Sequence, residues 1–356
     1  VVLKYLQHFT HLQVSWLWRR VYTALMLRDS WGRNFGRLRI SVTDRCNFRC
    51  AYCMPAHGVE LLPREEFLSF EEIARVASVA SRLGLSRIRL TGGEPTVRRD
   101  LPLLISMLRA LPDVRDIAMT TNAARLVELA RPLKEAGLNR VNISLDTLKS
   151  ERARSLTRRD FHAQVLEGID AAIAANLTPL KLNAVVLRGI NEDELCDLVS
   201  FAHERGATMR FIEWMPMGQT ARDQSNQLVP VAEMRTILSE RFDLAPAQNT
   251  DPSDPAREYE CLKTGARVGF IASVSEHFCA SCDRMRLTAQ GGLRPCLHQD
   301  AEVSTHEILR SGRDEAQLER DLLHAFARAG AMKWAGHEMS NVIPLYSAKD
   351  MVSIGG

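Results

Sequence analysis

The sequence predicts an α/β fold in which six parallel strands curl into an incomplete barrel, closed on its open side by a C-terminal segment. Three observations carry this reading. From about residue 37, short strand-like runs alternate with amphipathic stretches of helical period. The strand runs place polar residues at every second position, so one face of the sheet is polar. Two sets of three cysteines occur, one directly after the first strand and one far downstream.

The strands are expected at Leu38–Val42, Arg87–Thr91, Asp116–Thr121, Arg140–Leu145, Leu180–Leu187 and Thr208–Ile212. Helices are expected at about 70–83, 99–110, 124–136, 161–175 and 192–205. A β-α-β order implies parallel pairing with right-handed crossovers. Six units fall short of the eight of a closed TIM barrel, so an incomplete (β/α)6 TIM-type barrel fits the count. Alternation turns Arg39, Ser41 and Thr43 to the lumen, with Arg87, Arg89 and Thr91, Thr120 and Asn122, Asn142, Ser144 and Asp146, and Lys181 and Asn183. A closed barrel fills that space with branched aliphatics. Polar groups on five strands point instead to a lumen that holds a polar ligand. After Met215–Gly218 the alternation fades. Residues 219–229 and 246–259 read as linker and insertion, and one further helix is expected near 315–328. The chain is thus divided into a barrel at 27–218 and a C-terminal domain at 219–356.

With 356 residues, 46% of them apolar, the chain can bury a core, and no apolar run is long enough to span a bilayer. Residues 1–28 carry Lys4, Arg19, Arg20 and Arg28 and no acid. Taking those four charges from the net +3 leaves the rest at −1, which argues against a nucleic-acid surface. The basic head has three readings: a transit peptide, a membrane-surface helix around Trp16, Leu17, Trp18 and Val21, or a non-native start preceding Met26. We favour the third, and read residues 1–26 as non-native or disordered. Six of eight cysteines stand in close-spaced triplets, which favours metal ligation over disulfides and a reducing cytoplasm. Cys196 and Cys261 are isolated and read as ordinary thiols.

Cys46, Cys50 and Cys53 stand in CNFRCAYC. A four-iron–four-sulfur cluster held by three thiolates keeps one iron open to a small molecule. Cys279, Cys282 and Cys296 form a second such set, Cys-x2-Cys-x13-Cys. Taken alone, the second set would suit zinc equally well.

CNFRCAYC, the turn TGGEP at 91–95, the distal triplet, the segment CDRMRLTA after it and the terminal Gly355-Gly356 together resemble the GTP 3′,8-cyclases of the radical S-adenosylmethionine superfamily, from about Leu27 to Gly356. The resemblance implies two four-iron–four-sulfur clusters, on Cys46, Cys50 and Cys53 and on Cys279, Cys282 and Cys296. It implies S-adenosylmethionine held by Tyr52, Gly93, Ser144 and Met215, and GTP held by Arg39, Arg89, Thr120, Lys181, Arg284, Met285 and Arg286. Alternation had already turned Arg39, Arg89, Thr120 and Lys181 inward. Catalytic roles would fall to Cys46, Cys50, Cys53, Arg284, Arg286 and the tail glycines Gly355 and Gly356. The implied reaction takes hydrogen from the ribose 3′ carbon and joins that carbon to guanine C8, the first step of molybdenum cofactor biosynthesis. It further implies a reducing protein such as flavodoxin or ferredoxin, a cyclic pyranopterin monophosphate synthase downstream, and a homodimer, with no nucleic-acid or membrane partner.

Four positions depart from the family pattern. Ala123 and Arg158 stand where glycine is usual, Trp214 replaces a tyrosine, and Asp283 replaces an asparagine after Cys282. Asp283 is expected to weaken GTP binding or reorder Arg284. Competing readings are a two-cluster enzyme acting on a peptide and a non-enzymatic iron–sulfur or zinc protein.

Overall fold

The computed structural model describes residues 26–217, 227–248, 250–336 and 351. Residues 1–25 of the basic head and the Gly355-Gly356 tail therefore lie outside the described residues. Six strands form the parallel centre: β1 (Arg37–Ser41), β2 (Arg87–Thr91), β3 (Asp116–Thr121), β4 (Arg140–Ser144), β5 (Lys181–Val186) and β6 (Thr208–Glu213). Their outward residues are apolar. Leu38, Ile40, Ile88, Leu90, Ile117, Met119, Val141, Ile143, Leu182, Met209 and Phe211 are all buried in one core. That burial fixes the register, because a slip of one residue would turn the arginines into the core.

The covering helices are α1 (Phe70–Arg82), α2 (Leu101–Arg109), α3 (Leu126–Glu135), α4 (Ser150–Thr157), α5 (His162–Ala174) and α6 (Leu195–Glu204). Ser69 and Glu72 cap α1 reciprocally. Helix α4 was absent from the sequence reading. Its eight residues, SERARSLT, bury only Ala153 and Leu156, too few to show a period.

The C-terminal part changes the picture at both edges. It supplies α7 (Val231–Ser239), β7 (Leu244–Pro246), β8 (Arg257–Cys261), β9 (Arg267–Ile271), β10 (Arg284–Leu287), β11 (Gly292–Arg294), β12 (Val303–Ser304), α8 (His306–Leu309) and α9 (Glu315–Ala331). The sheet runs β12-β11-β10-β1-β2-β3-β4-β5-β6-β9-β8-β7. Strand β9 lies parallel to β6 and β10 parallel to β1. The parallel region therefore has two more strands than the sequence pattern showed. Neither β9 nor β10 is followed directly by a helix, so the alternation that revealed the first six was missing. Consecutive strands β9 and β10 sit at opposite margins, and residues 272–283 must cross the open side to join them. The stretch 246–259, expected to be an insertion, instead leads into β8 and packs its acids against the lumen. Among the described residues no helix is long and apolar enough to cross a membrane.

Ala123 and Arg158 both have left-handed backbone, at φ 64° and 53°. This is the conformation that glycine adopts without cost. Beside Ala123, helix α5 comes unusually close. A Cβ on Gly168 would lie 2.2 Å from the Ala123 carbonyl oxygen. Neither side of that contact is a flexible side-chain end. Gly168→Ala is expected to destabilise the fold by at least about 2 kcal/mol, seen as a lower urea midpoint at unchanged slope. An unchanged midpoint would show that the helix has room to move.

Candidate active site

The lumen is a cavity of about 530 Å³. Side chains from β1 to β6 line it, with Ile271 of β9 and Arg284 and Arg286 of β10. Both margins of the parallel region thus face one space, which makes the sheet an open barrel. All six cysteines of the two triplets line this cavity. So do Tyr52, Gly93, Ser144, Met215, Arg39, Arg89, Thr120 and Lys181. Met285 does not. Its side chain is fully buried in the core, on the face of β10 opposite Arg284 and Arg286, which leaves its backbone as the part nearest the chamber. Of the expected inward residues, Ser41 and Thr43 are buried beside the turn after β1 rather than on the cavity wall.

The first triplet follows the C-terminal end of β1. Its loop is pinned by backbone bonds from Arg49 N to Thr157 O and from Ala51 N to Leu156 O, so α4 forms its seat. Phe48 stacks on Phe161 at 5.8 Å. Tyr52 Oη donates to Asp146 Oδ2 at 2.7 Å, tying the loop to the end of β4. Arg158 donates to the carbonyls of Arg49 and Met54, a contact that glycine there could not make. The TGGEP turn lies alongside. Gly93 N donates to Thr43 O, and Glu94 N to Arg45 O. A Cβ on Gly92 would approach Thr43 O to 2.6 Å, so the turn needs glycine there. Glu94 is buried and accepts from Thr96 N, Thr121 Oγ1 and Asn122 N, which ties its own turn to the end of β3. Burial pushes the Cys46 thiol up to about 11 and Cys50 well above its usual range. Thiolates form here only when a metal displaces the protons.

The second triplet owes its position to the crossing segment. Cys279 and Cys282 lie in a short turn just before β10, and Cys296 follows β11. The antiparallel pairing of Arg286 with Arg294 returns Cys296 to the same end. Lys333 Nζ donates to the carbonyls of Cys282 and Arg284, anchoring the turn. Burial raises the Cys282 thiol, but Arg284 and Lys333 outweigh it and hold it at about 6. Glu213, at the end of β6, accepts from Val231 N, Val274 N and Ser275 N. It thereby holds the start of the crossing segment.

None of the eight cysteines forms a disulfide. Among the described residues no group of His, Cys, Asp and Glu converges as on a single metal ion. A four-iron cluster takes one thiolate per iron and does not ask for such convergence. Three thiols around a shared cavity, twice over, fit that donor set.

Since β1 and β10 run parallel, the first triplet lies at the C-terminal end of the strands and the second at the N-terminal end. A five-residue strand spans roughly 16 Å. Between the two ends run rows of arginine in register: Arg284, Arg37 and Arg87, then Arg286, Arg39 and Arg89. Arg37 pairs with Asp251 and Asp283, and Arg87 pairs with the same two acids. Asp283 thus turns to Arg37 and Arg87, and the expected reordering of Arg284 is not seen; Arg284 stacks on Phe278. Arg140 makes a two-pronged pair with Asp116. Lys181 and Arg210 both meet Asp254 and Glu258. Arg39 and Arg89 make no ion pair among the described residues. Burial, and then neighbouring arginines, lower both: Arg89 to about 10, Arg39 well below its ordinary value. Asn142 Oδ1 and Asn183 Oδ1 are buried without a partner among the described residues. The wall thus offers cationic donors to an anion and two amide oxygens to a ligand's own N–H groups. Sequence reasoning missed Arg140 and Arg210. Alternation carried two residues earlier along β4, and onto β6, would have found them.

The difference between paired and unpaired arginines is measurable without ligand. Arg89→Met removes an uncompensated buried charge and is expected to stabilise the protein by on the order of 1 kcal/mol. Arg140→Met strands Asp116 and is expected to destabilise it by at least a similar amount. Chemical denaturation of the two variants checks this, and equal shifts of the same sign would refute it.

Two family patterns match the chain, the Radical SAM superfamily over residues 40–202 and Molybdenum Cofactor Synthesis C over residues 207–337. The GTP 3′,8-cyclase of Moorella thermoacetica is 47% identical over 315 residues, which is 88% of this chain and 96% of that protein. The mitochondrial GTP 3′,8-cyclase of Arabidopsis thaliana is 41% identical over 331 residues, 93% of this chain and 84% of that protein. Among solved structures, Streptococcus suis SuiB bound to S-adenosylmethionine shares the fold, with a TM-score of 0.55 and 16% identity over 81% of this chain and 68% of that one. The chain belongs to the GTP 3′,8-cyclase family of the radical S-adenosylmethionine superfamily, whose members carry a four-iron–four-sulfur cluster and S-adenosylmethionine.

Proposed function

We propose that this protein cyclises GTP to (8S)-3′,8-cyclo-7,8-dihydroguanosine 5′-triphosphate, the first step of molybdenum cofactor biosynthesis. The observation that carries the reading is one chamber lined by both cysteine triplets, with uncompensated arginines on the strands between them. In this reading Cys46, Cys50 and Cys53 hold one cluster, and Cys279, Cys282 and Cys296 hold a second beside the substrate. When bound, the first cluster supplies the electron for reductive cleavage of S-adenosylmethionine.

The chain's own residues bind, orient and shield. Gly93 offers close backbone approach to the methionine end of the cofactor, while Tyr52, Ser144 and Met215 hold its nucleoside end. Arg39, Arg89, Thr120 and Lys181 hold the nucleotide from the strands, and Arg284 and Arg286 from β10. Met285 contributes through its backbone alone. Forked guanidinium donors suit phosphate, and a lumen walled by the strands and the crossing segment limits the access of water to a radical reaction. Gly355 and Gly356 enter the chamber as a slim tail; Met351, five residues before the end, already lines the cavity. The barrel (27–218) and the C-terminal domain (219–356) act as one unit. A flavodoxin or ferredoxin delivers the electrons, a cyclic pyranopterin monophosphate synthase takes the product, and the enzyme works as a cytoplasmic homodimer.

The test is anaerobic reconstitution and reduction, followed by S-adenosylmethionine with GTP, ATP or no nucleotide. 5′-Deoxyadenosine and a cyclised product are expected with GTP alone. Cys46→Ala should reduce cofactor cleavage to background. Cys279→Ala should keep uncoupled cleavage and lose the product. Normal product from the Cys279 variant would remove the substrate-holding role of the second triplet.

A further inference from the structure

The acids that meet the chamber's cations come mostly from one segment outside the parallel strands. Asp251 and Asp254 stand in the loop before β8, and Glu258 near the start of β8. Asp251 Oδ2 lies 2.7 Å from Arg37 and 2.8 Å from Arg87. Asp254 Oδ2 lies 3.0 Å from Arg210 and 3.7 Å from Lys181, and Glu258 reaches the same two cations. The rim cations Arg37, Arg87, Lys181 and Arg210 thus face four carboxylates, these three and Asp283. One row deeper, Arg39 and Arg89 form no ion pair among the described residues; Asp254 offsets part of the charge on Arg89 from a distance, but burial and the neighbouring arginines still lower it. Among the described residues the loop is fastened mostly to itself: Asp251 accepts from the Ser253 amide and hydroxyl, Asp254 N donates to Asp251 O, and Arg257 donates to the carbonyls of Pro252 and Asp254 at 3.4 and 3.3 Å. Arg37 adds bonds to the Ser253 carbonyl and hydroxyl.

We infer that Asp251, Asp254 and Glu258 are specificity-determining counterions, which occupy the rim cations until a ligand with a chain of phosphates displaces them. The inference rests on the nucleotide reading above and deepens it. A short anionic group is satisfied by Arg39 and Arg89 alone. A longer chain of phosphates extends to Arg37, Arg87, Lys181 and Arg210 and must compete there. Phosphate oxygens outnumber those of a carboxylate and carry more charge, so they prevail at a guanidinium fork. The released carboxylates must then turn to water. Asp251, 42% exposed, is already halfway there, whereas Arg210, 3% exposed, cannot follow. The competition grows with each phosphate, so the loop sets how strongly chain length is read.

The experiment is equilibrium binding of GTP, GDP, guanosine and inorganic triphosphate to the cluster-loaded protein, with and without the double substitution Asp251→Asn and Asp254→Asn. The amides keep the shape and remove the charge that competes. Affinity for GTP and inorganic triphosphate is expected to rise by about tenfold or more, less for GDP, and not at all for guanosine. Unchanged or weaker triphosphate binding would overturn the inference, because the acids would then be holding the cations in place for the ligand. Should the double variant fail to fold, Asp251→Asn alone, at the most exposed of the three acids, gives the same sign with a smaller change. Arg89→Met separates the two levels of the argument. Loss of triphosphate binding there, without tightening in the amide variants, overturns the counterion role and leaves the nucleotide reading intact. No effect of Arg89→Met removes both.

Discussion

Positive charge held close on a parallel sheet is the constraint around which this molecule is built. Neighbouring strands stand about 4.8 Å apart, and two rows of arginine cross three of them in register. Two unit charges at that spacing repel by roughly 3 kcal/mol at an effective dielectric of about 20. A flexible loop would relieve this by swinging its cations into water. A strand cannot, because its alternate residues are locked in the core. Leu38 and Ile40 on β1 and Ile88 and Leu90 on β2 hold the arginines between them inward. Carboxylates at the rim pair with Arg37 and Arg87, whereas Arg39 and Arg89 of the inner row form no ion pair among the described residues.

The same rigidity explains why the C-terminal part cannot be an appendage. A sheet of six parallel strands would leave open edges and one exposed flank of the lumen. Strands β9 and β10 cap those edges, and the segment between them crosses the gap with Cys279 and Cys282 on it. Topology alone then sets the two triplets at opposite ends of one chamber. Glu213, fixed at the end of β6, holds the start of that crossing, and Lys333, which follows α9, holds its end. Each of these anchors is a polar group buried against backbone partners, which gives position more than it gives stability.

Much of this was legible because period and burial agree. Strands β2 and β3 have the bounds that alternation indicates, and the polar face it assigns to Arg39, Arg89, Thr120, Asn142 and Lys181 is the chamber wall. What was lost depends on contacts between distant segments. Strands β9 and β10 carry no helix of their own, so only their pairing with β6 and β1 identifies them. Asp254 reads as part of a polar loop, and nothing near it in sequence shows that Arg210 and Lys181 await it. Met285 was carried along with its neighbours Arg284 and Arg286, although alternation on β10 sends it to the core.

The four positions expected to depart from the family pattern show how a site absorbs local strain. Ala123 and Arg158 accept left-handed backbone, at a cost of order 1 kcal/mol for each residue with a Cβ. Arg158 offsets this by binding two carbonyls of the first cysteine loop. Ala123 gains the burial of its methyl against α5. Trp214 fills a small apolar cluster with Leu156 and Leu187, against which Tyr52 packs, although its indole nitrogen has no partner among the described residues. Asp283 places its charge on Arg37 and Arg87, away from Arg284. Each change therefore falls on the scaffold behind the chamber wall, where a lost preference can be met by a new contact. The six cysteines of the two triplets and the inner arginines, by contrast, stand on the chamber wall itself.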